Sequence, residues 1–293
     1  MVRERPVFDP EAKFSKKALF TSAFFVVCVF FASSSSASTC PPLAVADQGI
    51  IKQVIDGDTV HLTDGRKVRL LGINTPEIDH KHGSSEPFAE EARNFLKSLV
   101  PAGTRVKLKF DQQRHDRYQR LLAHLAMIDG RNPGQLLVEQ GLATVLVIPP
   151  NTASAACYLT AQQHARNQGL GIWNHPRYAI TPASKIGPGT DTPGYQRISG
   201  QVNRVSQSRK YHYLVLGEHL AVRINKQHWQ DYFLQPLKPG WPGANDPRQL
   251  LGHTLVVSGW LHQARNAAKQ QDHAYQKPLQ MKIKHPAGLE WQP

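Results

Sequence analysis

Two aspartates flank a glycine in the segment Asp56-Gly57-Asp58, which lies between two apolar stretches. A tight bend at this glycine would place two carboxylates close together, and hard oxygen ligands of this kind suit Ca²⁺ or Mg²⁺. Asn74 and Thr75 end a following apolar run and could add an amide oxygen and a backbone carbonyl. The three-residue pattern alone is more often an ordinary turn. The prediction of a metal site therefore depends on the order and spacing of the whole set.

A carboxylate and two arginines that suit phosphodiester hydrolysis accompany this pattern. Glu77 follows Pro76, which fixes the local backbone, and a carboxylate just outside a metal shell can take a proton from water. Arg69 lies on the same stretch as Asn74, and Arg120 stands just before another apolar run. Guanidinium groups bind phosphate oxygens bidentately and stabilise the charge that grows in a pentavalent transition state. Taken singly, these residues are typical of loops and solvated strand ends.

The elements that position these residues are predicted to be short strands followed by helices. Apolar and polar residues alternate over 48–73, and Asp64-Gly65 marks a hairpin turn. Helical spacing of apolar residues begins after Ser85. Strands, a helix, more strands and terminal helices are the order of a small Greek-key barrel. The later predicted elements are strands over 106–110 and 121–128 and helices near 133–141 and 154–168.

A second β domain is predicted beyond a linker. Residues 179–195 are rich in proline and glycine and have no apolar period, which is typical of a linker. After it, three strands, a short helix and two strands follow in the order of an oligonucleotide/oligosaccharide-binding (OB) barrel. The predicted elements are strands over 195–206, 210–217 and 219–225, a helix near 226–234, and strands over 254–264 and 279–285.

Composition excludes several classes of protein. The 293 residues are 40% hydrophobic, which is too apolar for a disordered chain, and three cysteines cannot form a disulfide scaffold. Only one long apolar run exists, which excludes a polytopic membrane protein. The formal net charge is +13, and residues 181–293 hold 14 basic and 6 acidic residues, a net +8. An excess of this size indicates a polyanionic partner such as nucleic acid.

Aromatic residues accompany the positive charge of the predicted second domain. Basic grooves with aromatic platforms bind single-stranded nucleic acid. Aromatic side chains also fill the cores of small barrels, and for most of these residues that is the favoured interpretation. The histidines of this region lack metal-ligand spacing and are predicted to lie on the surface. The aromatic residues are Tyr211, Tyr213, Trp229, Tyr232, Phe233 and Trp260.

Residues 1–37 are typical of a secretory signal peptide. Three lysines precede an uncharged run from Ala18 to Ala32, and small residues follow it at a position that suits signal peptidase. The run is shorter than the ~20 residues that a membrane-spanning helix needs. Cleavage would place the protein in the periplasm or outside the cell, with no segment stably inserted in a membrane. An uncleaved N-terminal anchor is the alternative.

The cysteines are predicted to form one disulfide after export. Cys28 lies within the predicted signal peptide, which leaves Cys40 and Cys157 as a pair. In an oxidising compartment we expect a bond that ties the start of the mature chain to the helix near residue 157. Two unpaired buried thiols are the alternative.

Residues 48–173 resemble the staphylococcal (micrococcal) nuclease family, also called the thermonuclease-like family. The resemblance implies a five-stranded OB barrel with helices, which we place at 45–178. With the OB-like β domain expected at 196–290, a candidate nucleic-acid-binding module, the fold class is mainly β with helices. The matching motifs are VIDGDTV at 54–60, VRLLGINTPE at 68–77, DRYQRLLAH at 116–124, LLVEQGLA at 136–143 and GLGIW at 169–173.

The family resemblance also implies an activity and a set of site residues. Its members are Ca²⁺-dependent phosphodiesterases that cut DNA and RNA and leave 3′-phosphate ends, so Ca²⁺ is the expected cofactor and nucleic acid the expected partner. The family has an aspartate where this chain has Asn74, and a nucleic-acid-binding module without useful turnover is the alternative function. By position, the implied Ca²⁺ ligands are Asp58, Asn74 and Thr75 with Asp56 beside them; Glu77 is the implied general base, Arg69 and Arg120 the phosphate clamps, and Arg117 and Tyr118 the contacts to a terminal phosphate and base.

Overall fold

The alternating sequence at the start of the first predicted domain forms part of a closed five-stranded barrel. The structure, a computed structural model, describes residues 40, 44–79, 85–187, 194–235, 244–263 and 279–292, so the predicted signal peptide lies outside it. The strands of this half are β1 (Asp47–Val54), β2 (Thr59–Leu62), β3 (Lys67–Leu70), β4 (Ile73–Asn74), β5 (Arg105–Lys109), β6 (Leu121–Ala126) and β7 (Thr144–Val145).

This first barrel has the strand order β1-β2-β3-β6-β5, in which β3 and β6 run parallel. Its inward side chains alternate with solvent-facing ones, as in Val60, Leu62 and Val68, which are fully buried. The predicted hairpin turn joins β2 to β3, and Gly65 adopts the positive φ of +91° that this turn requires. The short strands β4 and β7 pair with each other outside the barrel.

Three helices pack against the first barrel: α1 (Ala89–Leu99), α2 (Pro133–Glu139) and α3 (Ala155–Asn167). The start of α2 is specified locally, because Pro133 occupies the first turn and the Asn132 side chain accepts hydrogen bonds from the next backbone amides. From these helices Leu96, Leu137 and Tyr158 enter the barrel core with almost no exposed surface. Among the described residues, no helix is long and apolar enough to cross a membrane.

The second half of the chain forms another closed five-stranded barrel with the same connectivity. Around this barrel the first, second, third, fifth and fourth strands follow one another, and the fourth strand closes the barrel by pairing with the first. The third and fifth strands again run parallel, as they do in the first barrel. The prediction of a mainly β protein with two OB-like barrels is therefore confirmed. The elements are β8 (Ile180–Pro182), β9 (Tyr195–Gln207), β10 (Tyr211–Leu216), β11 (Leu220–Asn225), α4 (Lys226–His228), β12 (Thr254–Gln263), β13 (Leu279–Ile283) and β14 (Leu289–Gln292).

Part of the predicted linker is ordered structure that belongs to the second barrel. Strand β8 pairs in parallel with β9, and a 3₁₀ turn follows it at Ala183–Lys185. Ala183 and Ile186 are buried in the core of the second barrel. Two apolar residues three positions apart are too few to create a visible period. The proline and glycine content of the segment therefore predicted a linker and gave no indication that it packs on the second barrel. Residues 188–193 lie outside the described part of the chain.

Two of the six aromatic residues named above, Trp229 and Phe233, are buried in the core of the second barrel, and Tyr232 packs partly against it. Trp229 and Phe233 stack with their ring centroids 5.1 Å apart. Both lie on the π-helical turn Trp229–Phe233 that continues α4. The surface assignment is wrong for His285, which is 3% exposed and whose Nδ1 accepts a hydrogen bond from the backbone N–H of Ala287. Because the imidazole accepts this hydrogen bond at a turn, it can be buried without leaving Nδ1 unpaired. The composition of the sequence does not show such a contact.

A disulfide joins Cys40 to Cys157, with the Cα atoms 5.2 Å apart and a sequence separation of 117. In the chain-entropy model, closing a loop of this length stabilises the fold by about 4–5 kcal/mol.

We expect Cys40→Ser/Cys157→Ser to lower the free energy of unfolding by about that amount in urea denaturation. Wild-type protein that is reduced and alkylated should lose a similar amount. Equal midpoints for oxidised wild type and the double variant would contradict the expectation.

His124 is buried beside Tyr158 and Asn132. The Tyr158 hydroxyl accepts a bond from Asn132 Nδ2 at 2.8 Å and lies 3.1 Å from His124 Nδ1. A neutral imidazole with an unprotonated Nδ1 can accept the hydroxyl proton there. Burial, offset in part by Asp111, lowers the pKa of His124 from 6.5 to about 4.

This histidine makes the protein sensitive to acid. Between pH 6.5 and 4 the unfolded chain binds a proton that folded His124 does not, so the free energy of unfolding falls as the pH is lowered. At pH 4, this residue alone should have lowered the free energy of unfolding by about 3 kcal/mol. We expect His124→Gln to flatten the pH dependence, measured by urea denaturation over this range. His115→Gln, at an exposed position, should leave the pH dependence unchanged. If wild type and both variants lost stability equally as the pH is lowered, His124 would not be the cause.

Candidate active site

The predicted bend between β1 and β2 carries the two aspartates. The backbone N–H of Asp58 donates to Asp56 Oδ1 at 3.0 Å, which closes the bend. A Cβ atom on Gly57 would stand 2.6 Å from Thr75 Cγ2 and 2.7 Å from Ala92 Cβ. Only glycine lets this bend pack so tightly, and the packing brings Asp58 beside Thr75.

Asp58 is a buried carboxylate that receives several hydrogen bonds. Its Oδ2 accepts the backbone N–H of Thr75 at 3.0 Å and lies 2.8 Å from Arg69 Nη2, while its Oδ1 accepts the Thr59 hydroxyl at 3.2 Å. Burial raises the pKa of Asp58 to about 6, Arg69 opposes this rise, and neighbouring Asp56 adds to it. One guanidinium therefore does not fully compensate the negative charge placed here.

Asn74 and Thr75 lie next to Asp58, but they also bond to one another. Asn74 Nδ2 donates to the Thr75 carbonyl at 3.0 Å, and Asn74 Oδ1 accepts from Arg69 Nη2 at 3.2 Å. The Thr144 hydroxyl donates to the Asn74 carbonyl at 3.2 Å and fixes this strand end from the other side. The two oxygens that were predicted as ligands thus already accept hydrogen bonds within the protein.

Arg69 is anchored through both terminal nitrogens. Its Nη1 donates to the carbonyls of Leu70 and Ile73, at 2.8 and 3.0 Å, and its Nη2 serves Asp58 and Asn74. The guanidinium lies in the predicted site, where it joins the turn after β3 to the aspartate bend.

Glu77 is held in place through its backbone. Its N–H donates to Glu86 Oε2 at 3.0 Å, the N–H of Glu86 donates to its carbonyl at 2.9 Å, and Glu86 forms an ion pair with Arg177 at 3.0 Å. Although the residue is exposed as a whole, partial desolvation of its carboxyl group raises the pKa of Glu77. Asp58 adds to the increase, and Arg69 and then Arg120 oppose it less strongly.

Arg120 lies at the end of a turn that begins at Asp116. Asp116 accepts the backbone N–H of Arg120 at 2.9 Å and its Nε at 2.7 Å. Although burial opposes them, hydrogen bonds from Arg120 hold the pKa of Asp116 below its usual value. The Nη atoms of Arg120 form no hydrogen bond or ion pair with any residue that the structure describes. The turn also presents Tyr118, 64% exposed, with the Arg117 guanidinium 4.6 Å from its ring centroid.

A cleft of about 800 Å³ collects these groups. All the predicted site residues except Thr75 line it, and Thr75 lies directly behind Asp58. Sequence reasoning missed the supports Glu86 and Asp116, although Asp116 lies within a matched motif. It also did not place the second barrel opposite this site, although the positive charge and the aromatic residues of that half, Trp260 among them, had pointed to nucleic-acid binding. The site residues that line the cleft are Asp56, Asp58, Arg69, Asn74, Glu77, Arg117, Tyr118 and Arg120, and those from the second barrel include Trp260, His262, Lys282 and Lys284.

The donor set around Asp58 fits a hard cation. Two carboxylates, an amide oxygen and a backbone carbonyl are all oxygen ligands, the type that Ca²⁺ selects. The raised pKa of Asp58 has burial as its main cause, and it indicates a negative charge that a cation would stabilise. Within the described residues, no three His, Cys, Asp or Glu side chains form a metal-binding group. A cation bound at this site would therefore need amide, carbonyl and water oxygens to complete its coordination shell.

Comparison with known proteins agrees with this geometry. A family model described as staphylococcal nuclease homologue matches residues 67–175. Endonuclease YncB of Bacillus subtilis is 35% identical over 133 residues, which cover 44% of this chain and 62% of that protein. Thermonuclease of Staphylococcus intermedius is 35% identical over 127 residues, 42% of this chain and 74% of that protein. The SPbeta prophage-derived endonuclease YokF of Bacillus subtilis is 35% identical over 133 residues, 44% of each chain.

The matched segment contains β3 to α3 and nearly all of the cleft wall contributed by the first barrel. The family resemblance seen in the sequence motifs is thereby confirmed. The matches to these relatives cover 42–44% of this chain, and YncB extends well beyond its match. The chain belongs to the staphylococcal nuclease homologue family.

Proposed function

We propose that this chain is a nuclease that hydrolyses phosphodiester bonds of DNA or RNA with Ca²⁺ and leaves 3′-phosphate ends. One observation carries the proposal: Glu77, Arg69 and Arg120 line one cleft together with the buried carboxylate of Asp58. A binding module would need cations but no base with a raised pKa, and burial with the nearby Asp58 raises that of Glu77. The relatives named endonuclease and thermonuclease support the same activity.

In the proposed reaction, Glu77 accepts a proton from water as the water oxygen bonds to phosphorus. The bond from phosphorus to the 5′ oxygen breaks, and the 5′ oxygen takes a proton from solvent water to become a hydroxyl. The phosphate stays on the 3′ oxygen of the other fragment. A carboxylate whose pKa is raised by partial desolvation is a stronger base than a free glutamate. The backbone contacts to Glu86 keep this carboxylate at the cleft wall.

Two guanidinium groups stabilise the charge that grows on the phosphate. Asp116 binds Nε of Arg120, which orients the remaining edge of its planar fork. Arg69 is fixed at the aspartate bend, where its charge faces both Asp58 and Glu77. Arg120 is oriented before substrate binds and keeps its Nη atoms for the phosphate, so little reorganisation is needed there. Arg69, whose Nη atoms already donate to protein oxygens, acts through its charge from its anchored position.

Asp58, Asp56, Asn74 and Thr75 are the residues that would hold Ca²⁺. Bound there, the ion would act as a Lewis acid on a phosphate oxygen. Asp58 would keep its hydrogen bond from Thr75, which holds the carboxylate toward the cleft. Export to the periplasm or the medium, directed by residues 1–37, would supply Ca²⁺ and the oxidising conditions that the Cys40–Cys157 disulfide needs.

The decisive experiment incubates the purified mature protein with plasmid DNA and with RNA, with Ca²⁺ or with a calcium chelator. We expect degradation only with Ca²⁺, and fragments that a 3′-phosphatase must treat before a polymerase can extend them. Binding without degradation would favour a nucleic-acid-binding module. Unchanged degradation with the chelator would exclude the metal requirement.

Replacing Asn74 should reveal how the site binds Ca²⁺. Asn74→Asp adds a carboxylate to the oxygen ligands, so we expect half-maximal activity at a calcium concentration lowered about tenfold, or ~1.4 kcal/mol. Isothermal titration calorimetry should show the same change in calcium affinity. The variant Asn132→Asp alters an asparagine that caps α2 outside the cleft and should leave both values unchanged. An unchanged or higher calcium requirement for Asn74→Asp would contradict this placement.

A further inference from the structure

The cleft that holds Glu77 is walled on its other side by the second barrel. Trp260 and His262 of β12, together with Lys282 of β13 and the following Lys284, line the same 800 Å³ space. They lie on the fourth and fifth strands of that barrel, whereas OB barrels usually bind strands of nucleic acid across their second and third strands.

Strand alternation explains why these side chains face the cleft. Met281 and Ile283 are buried in the core of the second barrel, so Lys282 and Lys284 point to its outside. The register that pairs Leu261 with Met281 places Trp260 opposite Lys282 on the outer face. One aromatic ring and two ammonium groups therefore share a small patch of the wall.

Lys282 and Lys284 bring two positive charges to the cleft. Among the residues that the structure describes, Lys282 and Lys284 take part in no ion pair. Burial and the charges of Lys282 and Arg117 lower the pKa of Lys284, so cations from both barrels act on one another across the cleft. An anion that entered between them would stabilise all three.

Trp260 offers a fixed aromatic surface beside these charges. It is half-buried and packs edge to face against Tyr195, with centroids 5.7 Å apart and an interplanar angle of 80°. A ring held in this way loses little entropy when a base stacks on it, and stacking of this kind contributes about 1–3 kcal/mol per base.

We propose that Lys282 and Lys284 bind backbone phosphates of a single-stranded nucleic acid that runs through the cleft, with Trp260 as a stacking surface for one of its bases. The proposal rests on the proposed nuclease function for the position of the scissile bond. Its commitment to a single strand follows from Trp260, because a base can stack on an aromatic side chain only when it is not paired and stacked within a duplex.

The test compares Lys282→Gln/Lys284→Gln with Arg209→Gln/Lys210→Gln, which removes two cations from an exposed turn of the same barrel. Binding of a fluorescent 12-nucleotide single strand and of the matching duplex is followed by anisotropy over a range of salt concentrations, with a chelator present to prevent cleavage. We expect the cleft variant to bind the single strand about tenfold more weakly and to lower its salt slope by about 1.4, since each phosphate contact contributes about 0.7. The control should change neither value. The single variant Lys282→Gln, at an exposed position, should show about half of the change in slope.

Several outcomes would overturn the proposal. Equal losses in the cleft and control variants would mean that only overall charge matters, and unchanged single-strand binding in both cleft variants would remove the lysines from the binding path. An equal loss for the duplex would contradict the commitment to a single strand. Thermal unfolding of each variant identifies misfolding, in which case the single variant decides. Cleavage by wild type with unaffected binding in the variants overturns this proposal alone, whereas lysine-dependent binding without any cleavage overturns the nuclease function alone.

Discussion

Glu77→Gln is expected to lower kcat by about 10²–10⁴, because the amide keeps the shape of the side chain but cannot accept a proton from water. Substrate binding should change little, since the arginines and the second wall of the cleft remain in place. The measurement is turnover at saturating single-stranded DNA and saturating Ca²⁺. The effect belongs to kcat, so KM should stay within a few-fold of the wild-type value.

Glu91→Gln is the matched control for this experiment. It makes the same chemical change at an exposed position of α1, outside the cleft. We expect it to keep wild-type turnover. If Glu77→Gln also turned over at nearly the wild-type rate, another group would have to take the proton, and the proposed mechanism would be wrong.

Arg120→Lys is expected to lower kcat by about 10²–10³, the effect of removing one preorganised donor to a transition-state charge. Arginine can bind Asp116 through Nε and still present its Nη atoms, whereas a lysine has a single ammonium group. In the variant, that ammonium either remains with Asp116 or turns toward the phosphate, and it cannot do both.

Arg131→Lys provides a close control, because Arg131 forms the same arrangement with Asp129. Its backbone N–H and Nε donate to the two carboxylate oxygens at 3.0 and 2.8 Å, and the pair lies outside the cleft. We expect this variant to keep full activity. Equal activity of Arg120→Lys and wild type would show that Arg120 does not contact the reacting phosphate.

Local patterns were enough to predict most of the fold. The first barrel follows from alternation around Val60 and Val68 and from the glycine turn between them, because burial of one strand face produces a period of two residues in the sequence. The second barrel was predicted from the same signal, and its strands begin and end within a few residues of the predicted positions. Most residues proposed for the site could also be named from the sequence, because they lie within the continuous segment 56–77. In this segment, bends and short strands bring the chain back to one place.

Contacts between distant segments were decided only by the tertiary structure. A period of two residues shows that Lys282 and Lys284 face outward, but it does not show that this face lies across a cleft from Glu77. The same limit applies to buried His285 and to Ile186, which docks on the second barrel from within the predicted linker.

The hydrogen-bond partners of the proposed metal ligands were likewise decided by three-dimensional packing. The sequence places Asn74 near Asp58, but only the folded chain shows that Arg69 bonds to both and that Asn74 bonds to the Thr75 carbonyl. Residue type determines which bonds a side chain can form, and the residues packed around it determine which of them it does form. The residues that line the first wall of this candidate site could therefore be named largely from a short segment of sequence. Its second wall and the present partners of its oxygens depend on how the whole chain packs.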